Sequence, residues 1–298
     1  MRILVTGATG YIGRRVVSAV CADGRHEVLT LNRDVEKATS LMPYVNCIHA
    51  DSLDVDAVRR FAPEIVFHFA TMSTSRNDTE IIDPMIAANI TYGVRLLDML
   101  MRIGSIKLFV NVGSFAEYRL GTEKVKDAYL YTATKSAFRH FVDYYADLCG
   151  FRYITAVPYT VYGGKDTAKK LIDYIVESLS AAVPVKMTKG EQVLDFVHVC
   201  DVVEFFRIVA ERYDEVLALP QGTEFHLGTG VGTRVRDVAE MVEKAFGARC
   251  NIEWGGLPYR PLDVMYAVAP VGRNSETVGW RAKMSLAEGV KVMAEKYC

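Results

Sequence analysis

The chain has no long apolar run and almost no net charge, and each absence excludes a class of partner. No apolar stretch approaches the ~20 residues that a membrane-spanning helix needs. A formal net charge of −1 and a pI near 6.6 offer no electrostatic attraction to nucleic acid or to an anionic membrane. We therefore expect neither nucleic acid nor a membrane as a partner.

The six cysteines lie tens of residues apart, without the Cys and His spacing typical of zinc sites. We interpret them as buried thiols of a reducing compartment and expect no metal site. His198, beside an apolar run, is interpreted as a hydrogen-bonded structural residue. "MRILVTGATG" passes from Met1 straight into a strand, which leaves no room for a cleavable leader. We expect a cytoplasmic protein whose 298 residues, half of them apolar, bury a large core.

What the sequence does contain is an alternation of short β-branched runs with amphipathic stretches. Helical patterns occupy 11–23, 55–61, 81–103 and 131–149. Between them lie runs that read as strands, several apolar throughout, as in a parallel sheet covered on both faces. These runs are RILVT (2–6), EVLTLN (27–32), NCIHA (46–50), EIVFHFA (64–70), KLFVNVGS (107–114) and YITAVP (153–158). The order predicts an α/β fold with a doubly wound, Rossmann-like parallel sheet.

The alternation fades after about residue 160. We predict a dinucleotide-binding domain over 1–160 and a smaller, mainly substrate-binding lobe over 161–298, with some segments returning to the sheet. Ligands of such sheets bind beyond the carboxyl ends of the strands, so residues at strand ends are the functional candidates. Helical patterns in the second half are at 167–182, 201–213, 234–246 and 285–296.

The first such strand end is VTGATGYIG, which places Gly7, Gly10 and Gly13 between a strand and a helix. Glycine permits a tight turn and brings backbone N–H groups close to a pyrophosphate at the helix N-terminus. A plain tight turn is the alternative interpretation, but the flanking strand and helix favour nucleotide binding. The spacing is G-x-x-G-x-x-G rather than the commoner G-x-G-x-x-G.

The end of the second strand bears on the choice between NAD and NADP. An acidic residue there accepts from the ribose 2′-OH and repels a 2′-phosphate. Here Asn32 and Arg33 come first, and Asp34 only afterwards. A guanidinium can hold a phosphate at two points. We therefore favour NADP(H), while a solvated surface role for Arg33 is the alternative and Asp34 keeps NAD(H) possible.

A further candidate is AYLYTATKSAF, in which Tyr131 and Lys135 share one face of a helix. Random placement of 16 Tyr and 14 Lys in 298 residues produces about one such pair, so spacing alone proves nothing. The pair gains weight from Ser114, which ends the fifth strand. An ammonium stabilises a nearby phenolate, and a serine hydroxyl can align the substrate oxygen for hydride transfer. Tyr129 lacks a lysine four residues on and is predicted to pack.

Together these motifs resemble the extended short-chain dehydrogenases/reductases that act on nucleotide-activated sugars. The resemblance covers essentially the whole chain. It rests on TGATGYIG, Asp51, HFAT (68–71), Asn89, GSFAEY (113–118) and YTATK (131–135), followed in the family's order by PYTVYGG (158–164), GEQVLDFVHVCDVV (190–203), FHLGTG (225–230), LPYRPLDV (257–264) and VGWRAKMSLAEGV (278–290).

The resemblance implies roles for individual residues and a homodimer formed through the helices at 81–103 and 131–149. Ser114, Tyr131 and Lys135 are the implied catalytic residues. The implied substrate contacts, besides Ser114, are Ser73, Thr160 and Arg260, the last one holding the diphosphate. The implied cofactor contacts, besides Tyr131 and Lys135, are Gly7, Thr9, Gly10, Tyr11, Ile12, Gly13, Asn32, Arg33, Asp51, Ser52, Phe69, Ala70, Thr71, Asn89 and Pro158.

Departures from the family pattern narrow the chemistry. The dehydratases of the family carry Asp-Glu after the strand-end hydroxyl residue, where this chain has Phe115 and Ala116, so dehydration is not expected. Leu194 stands where a phosphate-binding Arg is expected, and Val157 where an Arg is common. Thr160 replaces a frequent Asn. Because of these replacements, the resemblance indicates less about which nucleotide the substrate carries.

Three functions remain open. The chain looks most like the nucleotide-sugar 4-ketoreductases, such as the CDP-abequose synthase branch, which implies NADPH-dependent reduction of a nucleotide-linked 4-keto-6-deoxyhexose with Tyr131 as proton donor. An NAD-dependent UDP-hexose 4-epimerase would use the same residues and retain its cofactor. A catalytically silent NADP-sensing protein is the third, against which the intact Tyr131–Lys135 pair argues. Arg33 favours the reductase.

Overall fold

The computed structural model describes residues 1–22, 24–49, 54–164 and 169–297. It divides into two compact units. The predicted boundary near residue 160 lies beside the Val157–Pro158 division, but residues 118–128 belong to the second unit and residues 203–225 to the first. The first unit comprises Met1–Glu117, Tyr129–Val157 and Val203–Phe225, and the second comprises Tyr118–Ala128, Pro158–Val202 and His226–Cys298.

The secondary structure within these ranges is as follows. The strands are β1 (Arg2–Thr6), β2 (Glu27–Asn32), β3 (Asn46–His49), β4 (Ile65–His68), β5 (Leu108–Val112), β6 (Arg152–Pro158), β7 (Thr160–Tyr162), β8 (Val185–Met187), β9 (Val193–His198), β10 (Thr223–Leu227), β11 (Gly232–Arg234), β12 (Ile252–Trp254) and β13 (Tyr266–Ala267). The helices are α1 (Gly13–Cys21), α2 (Val35–Leu41), α3 (Val55–Phe61), α4 (Ile82–Ile86), α5 (Tyr92–Ile103), α6 (Leu130–Cys149), α7 (Leu171–Ser178), α8 (Val199–Glu211), α9 (Tyr213–Leu217), α10 (Val235–Phe246), α11 (Gly272–Val278) and α12 (Leu286–Tyr297). Shorter segments are the 3₁₀ turns Thr79–Ile81 and Phe115–Glu117 and the π-helical turn Ala87–Thr91.

A seven-stranded parallel sheet, in the order β10-β6-β5-β4-β1-β2-β3, forms the centre of the fold. Ile3 of β1 pairs with Val28 of β2 on one side and with Ile65 of β4 on the other. The chain thus winds outward in both directions from β1, which confirms the doubly wound prediction. The strand order reverses between β1 and β4, and ligands of such sheets bind at this point.

One side of the sheet packs against α3, α5 and α6. Phe138 of α6 lies against Gly93 of α5, where a Cβ would come within 2.4 Å of the ring. This close approach positions α6, which carries Tyr131, against α5. Each fully buried side chain of this kind contributes about 1.5–3 kcal/mol. The buried cluster includes Leu4, Leu29, Leu31, Val58, Val66, Leu96, Leu97, Leu100, Phe109, Phe138 and Val142.

The predicted strands of the first half are confirmed within one or two residues where the chain is described. The elements outside the predictions include helix α2 and strand β10, which adds the seventh strand beside β6. The long helix predicted over 81–103 begins with a 3₁₀ turn and is interrupted by the π-helical turn at 87–91. Both differences concern segments too short or too irregular to show a clear period in the sequence.

The second unit contains two small sheets of short strands, one with four strands and one with two. Strand β9 pairs with β7, β11 and β13, and β8 pairs with β12. The predicted helical patterns of the second half correspond to α7, α8, α10 and α12, with different ends. Strands of two to six residues stabilise little by themselves, so this unit depends on side-chain contacts between its loops.

Two expectations about composition can be compared with the described residues. Within them, no helix has the length and apolar character needed to cross a membrane. The cysteines at 21, 47, 149 and 250 are unpaired and only partly buried, and Cys200 is exposed. The expectation of buried thiols is therefore wrong for Cys200, which lies near the start of α8.

Candidate active site

The turn between β1 and α1 leaves no room for a side chain at two of its glycines. Gly7 has a φ of +68°, and a Cβ there would lie 2.6 Å from the backbone nitrogen of Ala70. A Cβ at Gly13 would lie 2.3 Å from the Gly7 carbonyl oxygen. Helix α1 begins after Ile12 without a side-chain cap and without an acidic residue in its first turn. Uncapped N–H groups at the positive helix end suit a pyrophosphate.

At the end of β2, the Asn32 amide keeps an acceptor that is free within the described residues, whereas the Asp34 carboxylate caps the next helix. Asn32 is buried, its Nδ2 donates to Thr30 Oγ1 over 2.7 Å, and its Oδ1 is a buried acceptor with no partner in the described chain. Asp34 caps helix α2, since its Oδ1 accepts from the Lys37 backbone N–H over 2.8 Å. Arg33 is exposed. The Asp34 carboxylate is thus committed to the helix, while Asn32 Oδ1 keeps its acceptor capacity.

The chain after β4 is held against β1. The backbone N–H of Phe69 donates to the Thr6 carbonyl over 3.1 Å, and that of Ala70 donates to Thr6 Oγ1 over 3.2 Å. Thr6 Oγ1 also lies 2.8 Å from Nδ1 of the buried His68. Phe69 and Ala70 therefore lie at the β1/β4 switch point, beside the glycine turn.

Asn89, in the π-helical turn, uses its whole amide within the protein. Its Oδ1 accepts from Met72 N (2.7 Å) and Thr71 Oγ1 (3.1 Å), and its Nδ2 donates to Met72 O (3.1 Å) and Thr134 Oγ1 (2.9 Å). Two donors and two acceptor sites complete the capacity of an asparagine amide. Asn89 therefore joins the loop after β4 to α6, and its side chain has no hydrogen bond left for the predicted contact with a cofactor.

The first backbone N–H groups of helix α6 are hydrogen-bonded to side chains. Tyr129 is the N-cap residue, and its backbone N–H donates to Thr132 Oγ1 over 3.1 Å. The N–H of Leu130 donates to Asn77 Oδ1 over 3.1 Å. Tyr129 and Tyr131 thus have different positions, one capping the helix and one in its first turn.

The predicted catalytic side chains lie at one edge of the first unit. Lys135 is buried, with 3% of the residue exposed, and its Nζ lies 5.9 Å from the centre of the Tyr131 ring. The Tyr131 hydroxyl is hydrogen-bonded to the hydroxyls of Thr71 and Ser73, in the loop after β4. Ser114 follows the neighbouring strand, β5. The structure thus brings Ser73, which was predicted as a substrate contact, to the predicted proton donor.

Burial is the main cause of the pKa shifts of Tyr131, Lys135 and His68. Burial and, to a lesser extent, the Glu117 carboxylate together raise the pKa of Tyr131 to about 12, although hydrogen bonding to Ser73 and Thr71 opposes the rise. Burial lowers the pKa of Lys135 to about 8, an effect that Glu117 opposes. Burial and nearby Lys135 lower the pKa of His68 to about 3, so this imidazole is neutral. Desolvation outweighs the effects that favour a Tyr131 phenolate, so the phenol is protonated at neutral pH and can donate a proton.

Glu117 is the residue that sequence analysis missed. Its side chain is fully buried, its Oε1 accepts from the Ser114 backbone N–H over 2.6 Å, and its Oε2 lies 2.9 Å from Arg139 Nε. Ser136 Oγ donates to the same Oε2 over 3.3 Å. The only signal in the sequence is one acidic residue within GSFAEY, which reads equally well as a solvated loop residue.

The family model described as "NAD dependent epimerase/dehydratase family" matches residues 3–228, which include the glycine turn, Ser114, Tyr131 and Lys135. The chain belongs to this family. The resemblance to extended short-chain dehydrogenases/reductases is thereby confirmed. Members of the NAD dependent epimerase/dehydratase family are enzymes that modify nucleotide sugars with the help of a nicotinamide dinucleotide.

Relatives within the family carry different activities. The chain is 26% identical to a CDP-abequose synthase from Salmonella typhimurium, over 99% of this chain and 97% of that one. It is 27% identical to a UDP-glucose 4-epimerase from Mycolicibacterium smegmatis, over 99% and 98%. A crystal structure of a UDP-glucuronic acid 4-epimerase from Bacillus cereus, in complex with a UDP-sugar and NAD, superposes with a TM-score of 0.88 at 18% identity, covering 99% and 98% of the chains. The last likeness concerns the fold.

The groups present in the first unit fit a nicotinamide dinucleotide. The glycine turn offers uncapped N–H groups where side chains have no room, and Asn32 Oδ1 is a buried acceptor without a partner. Thr9, Tyr11 and Ile12 belong to the same turn, and Tyr11 is fixed by Arg15, whose guanidinium lies 4.5 Å from its ring centre. Two further predicted cofactor residues, Asp51 and Ser52, lie outside the described residues.

The remaining predicted residues belong to the second unit. Pro158 ends β6, and the Oγ1 of Thr160 in β7 is buried without a hydrogen-bond partner in the described chain. Arg260 Nη1 lies 3.9 Å from Asp263 Oδ2. His198 Nδ1 accepts from the Cys200 backbone N–H over 3.3 Å, in agreement with a structural role. The second unit therefore contains one buried hydroxyl without a partner in the described chain, at Thr160, and one half-exposed guanidinium, at Arg260.

Proposed function

We propose that this family member is an NADPH-dependent 4-ketoreductase that acts on a nucleotide-linked 4-keto-6-deoxyhexose. The observation that carries the proposal is the end of β2, where the acidic side chain is used as a helix cap. Asp34 accepts from Lys37 N, so the strand end offers the Asn32 amide and the Arg33 guanidinium instead of a carboxylate. A guanidinium suits a 2′-phosphate, and a neutral amide does not repel it as a carboxylate would. Full-length similarity to CDP-abequose synthases supports the same activity.

In the proposed reaction the residues of the first unit handle the proton and the substrate oxygen. NADPH, when bound, supplies the hydride for C4. The Tyr131 hydroxyl donates its proton to the C4 oxygen, so the ketone becomes an alcohol and the phenolate regains a proton from water. Ser114 donates a hydrogen bond to the same oxygen, and the Lys135 cation stabilises the transient phenolate. The raised pKa of Tyr131, about 12, suits this direction because catalysis starts from the protonated phenol.

On the substrate side, Ser73, Thr160 and Arg260 are the proposed contacts. Ser73 is hydrogen-bonded to Tyr131, which supports a place beside the reacting sugar. Thr160 Oγ1 is buried without a hydrogen-bond partner in the described chain, and it suits a polar ligand group. Arg260 is half-exposed and supplies the cation that a diphosphate needs. With Leu194 buried where an Arg is common in the family, Arg260 carries most of this charge pairing.

A UDP-hexose 4-epimerase is the second candidate. Its support is the 27% identity to a UDP-glucose 4-epimerase over nearly the whole chain. An epimerase first removes a proton from the sugar hydroxyl, which requires Tyr131 as phenolate.

The deciding experiment incubates the protein with NADPH and a panel of CDP-, GDP-, dTDP- and UDP-linked 4-keto-6-deoxyhexoses and follows reduced-nicotinamide absorbance. One NADPH consumed for each alcohol formed supports the reductase. Interconversion of two UDP-hexoses with bound NAD and no net consumption would replace the reductase with the epimerase. Tight NADPH binding without either reaction would indicate a catalytically silent NADP-sensing protein.

We also propose that the enzyme is a homodimer. Helix α6 exposes Phe141, Tyr144 and Leu148, with 39%, 61% and 56% of each residue accessible. These positions are spaced as one face of a helix, and such apolar faces commonly pack against a second subunit. Sedimentation equilibrium of the wild type should give twice the mass of one chain, and Tyr144→Asp should shift it towards the monomer.

A further inference from the structure

The carboxylate of Glu117 joins two separate elements that carry the catalytic side chains. Through Oε1 it accepts from the backbone N–H of Ser114, which follows β5. Through Oε2 it accepts from Ser136 Oγ and pairs with Arg139 Nε, both on α6. Ser136 is the next residue after Lys135. One side chain therefore links the backbone of Ser114 to the helix of Tyr131 and Lys135.

Two neighbours of Glu117, Gly113 and Arg139, make room for these contacts and hold them in place. A Cβ at Gly113 would lie 2.7 Å from Glu117 Oε1 and 2.7 Å from Arg139 Nη2, so the glycine before Ser114 provides the room. Arg139 also pairs through Nη1 with Glu224 on β10, which anchors its other end to the edge of the sheet. Since the Glu117 side chain has 0% exposure and Arg139 has 14%, water screens their pairing little.

The partners of Glu117 indicate its charge state. A backbone N–H can only donate, and it donates to Oε1, while the permanently charged guanidinium forms an ion pair with Oε2. Burial raises the pKa of Glu117, while Arg139 and the Ser114 N–H oppose the rise. The charged or titratable groups that act on Lys135 are Glu117, Arg139 and the neutral His68, with the Tyr131 ring 5.9 Å away. Among these groups Glu117 is the one that favours the ammonium form of Lys135.

We propose that Glu117 is a positioning residue, a carboxylate clamp that holds Ser114 in place against α6 and sets a negative charge beside Lys135. The clamp comprises Glu117, Arg139 and Ser136, and the absence of a side chain at Gly113 leaves room for it. Its kinetic consequence rests on the proposed reductase activity, whereas its effect on Lys135 does not. Without the clamp, Ser114 and Tyr131 lose their common alignment to one substrate oxygen, and a misplacement of about 1 Å can cost about 100-fold in rate.

Glu117→Gln is the main test, because it keeps the shape and one acceptor but removes the charge. We expect kcat to fall about 100-fold with KM within threefold of the wild type. Activity requires the Lys135 cation, so it is lost as pH rises through the Lys135 pKa near 8. Removing the adjacent opposite charge moves that loss to lower pH by about one unit. A residue that only supports the fold would lower kcat without moving the pH profile.

A matched control is Glu64→Gln. Glu64 also accepts from a backbone N–H, that of Arg2, and pairs with Arg2 and Lys107, but at the opposite end of the strands. We expect this variant to keep wild-type kcat and pH profile. Gly113→Ala tests the geometry separately, because its methyl displaces the clamp without changing any charge. It should lower kcat about tenfold and leave the Lys135 titration in place.

A second readout needs neither cofactor nor substrate. The Nζ signal of Lys135, assigned with Lys135→Met, can be titrated by NMR in the cofactor-free protein and should have a lower midpoint in Glu117→Gln than in the wild type. An unchanged midpoint, or a Glu117→Gln kcat within threefold of wild type, overturns the clamp. If no sugar is reduced by any variant, the reductase proposal fails while the titration still decides the clamp. If Glu117→Gln does not fold, full activity of Gly113→Ala overturns it.

Discussion

The two units each contain a fully buried carboxylate, Glu117 in the first and Asp195 in the second. One of them lies beside candidate catalytic residues, and the other only stabilises the fold around it. In the first unit Glu117 joins Ser114 to the helix of Tyr131 and Lys135. In the second unit Asp195 accepts from Thr229 N, Thr229 Oγ1, Gly230 N and Ala269 N over 2.7–3.1 Å. Asp195 accepts four hydrogen bonds, and Glu117 accepts two and forms an ion pair with Arg139. The donors of Asp195, however, come from loops that carry no candidate for proton transfer.

The difference shows that burial and charge do not by themselves mark a functional residue. What distinguishes Glu117 is the nature of its neighbours, since one of them is Ser114 itself and another, Ser136, directly follows Lys135. Asp195 stabilises a unit whose strands are short, and here the hydrogen bonds of its carboxylate add to the short ladders of the sheet. The following experiments should separate chemistry in the first unit from stability in the second.

The largest effect is expected for Tyr131→Phe. Only the hydroxyl that donates the proton is removed, so kcat should fall at least about 100-fold. NADPH affinity, measured by fluorescence titration, should stay near the wild-type value because the ring remains. Tyr129→Phe is the matched control on the N-cap of the same helix and should keep most activity. Retention of a tenth of wild-type kcat by Tyr131→Phe contradicts the assignment.

Asp195→Asn should destabilise the protein by about 3 kcal/mol without changing the pH profile of catalysis. The amide NH₂ of the variant would face backbone N–H groups of Gly230 and Ala269, which leaves buried donors unpaired. Urea unfolding followed by circular dichroism measures the loss. Asp237→Asn, which removes an exposed pair with Arg234 in the same unit, should change stability little. Comparable losses in both variants would refute a special structural role for Asp195.

Arg33→Ala should weaken NADPH about 30-fold and NADH less than twofold, because only NADPH carries the 2′-phosphate. Isothermal titration of each cofactor gives the two ratios. Arg59→Ala, an exposed arginine on α3 paired with Asp56, serves as the control and should affect neither. Equal weakening of both cofactors by Arg33→Ala would show that the arginine is structural and would remove the main support for NADP.

The smallest effect is expected for Arg260→Ala. Loss of one half-exposed guanidinium should raise KM for the nucleotide sugar about tenfold and leave cofactor affinity unchanged. Steady-state kinetics at saturating NADPH provides the measurement, with Arg249→Ala as an exposed control in the same unit. An unchanged KM excludes the diphosphate role and leaves Thr160 as the proposed contact of the second unit.

Much of the first unit could be predicted because its strands are buried on both faces. Runs such as RILVT and LFVNV are mostly apolar and rich in β-branched residues, which identifies them without a partner. Strand β10 could not be found in this way, since TEFHL becomes a strand only beside β6. The strands of the second unit are shorter still, and their pairing depends on segments far apart in the chain.

By itself, the sequence determined the order of elements, the family and the residue types at the strand ends. Glycines, a tyrosine and a lysine have intrinsic conformational and chemical properties that spacing reveals. Only the tertiary structure decided what three acidic or phenolic groups do: Asp34 caps a helix, Glu117 is buried against Arg139, and Tyr131 is protonated at neutral pH. Hydrogen bonding and desolvation depend on neighbours from other parts of the chain, and these become defined only when the chain is folded.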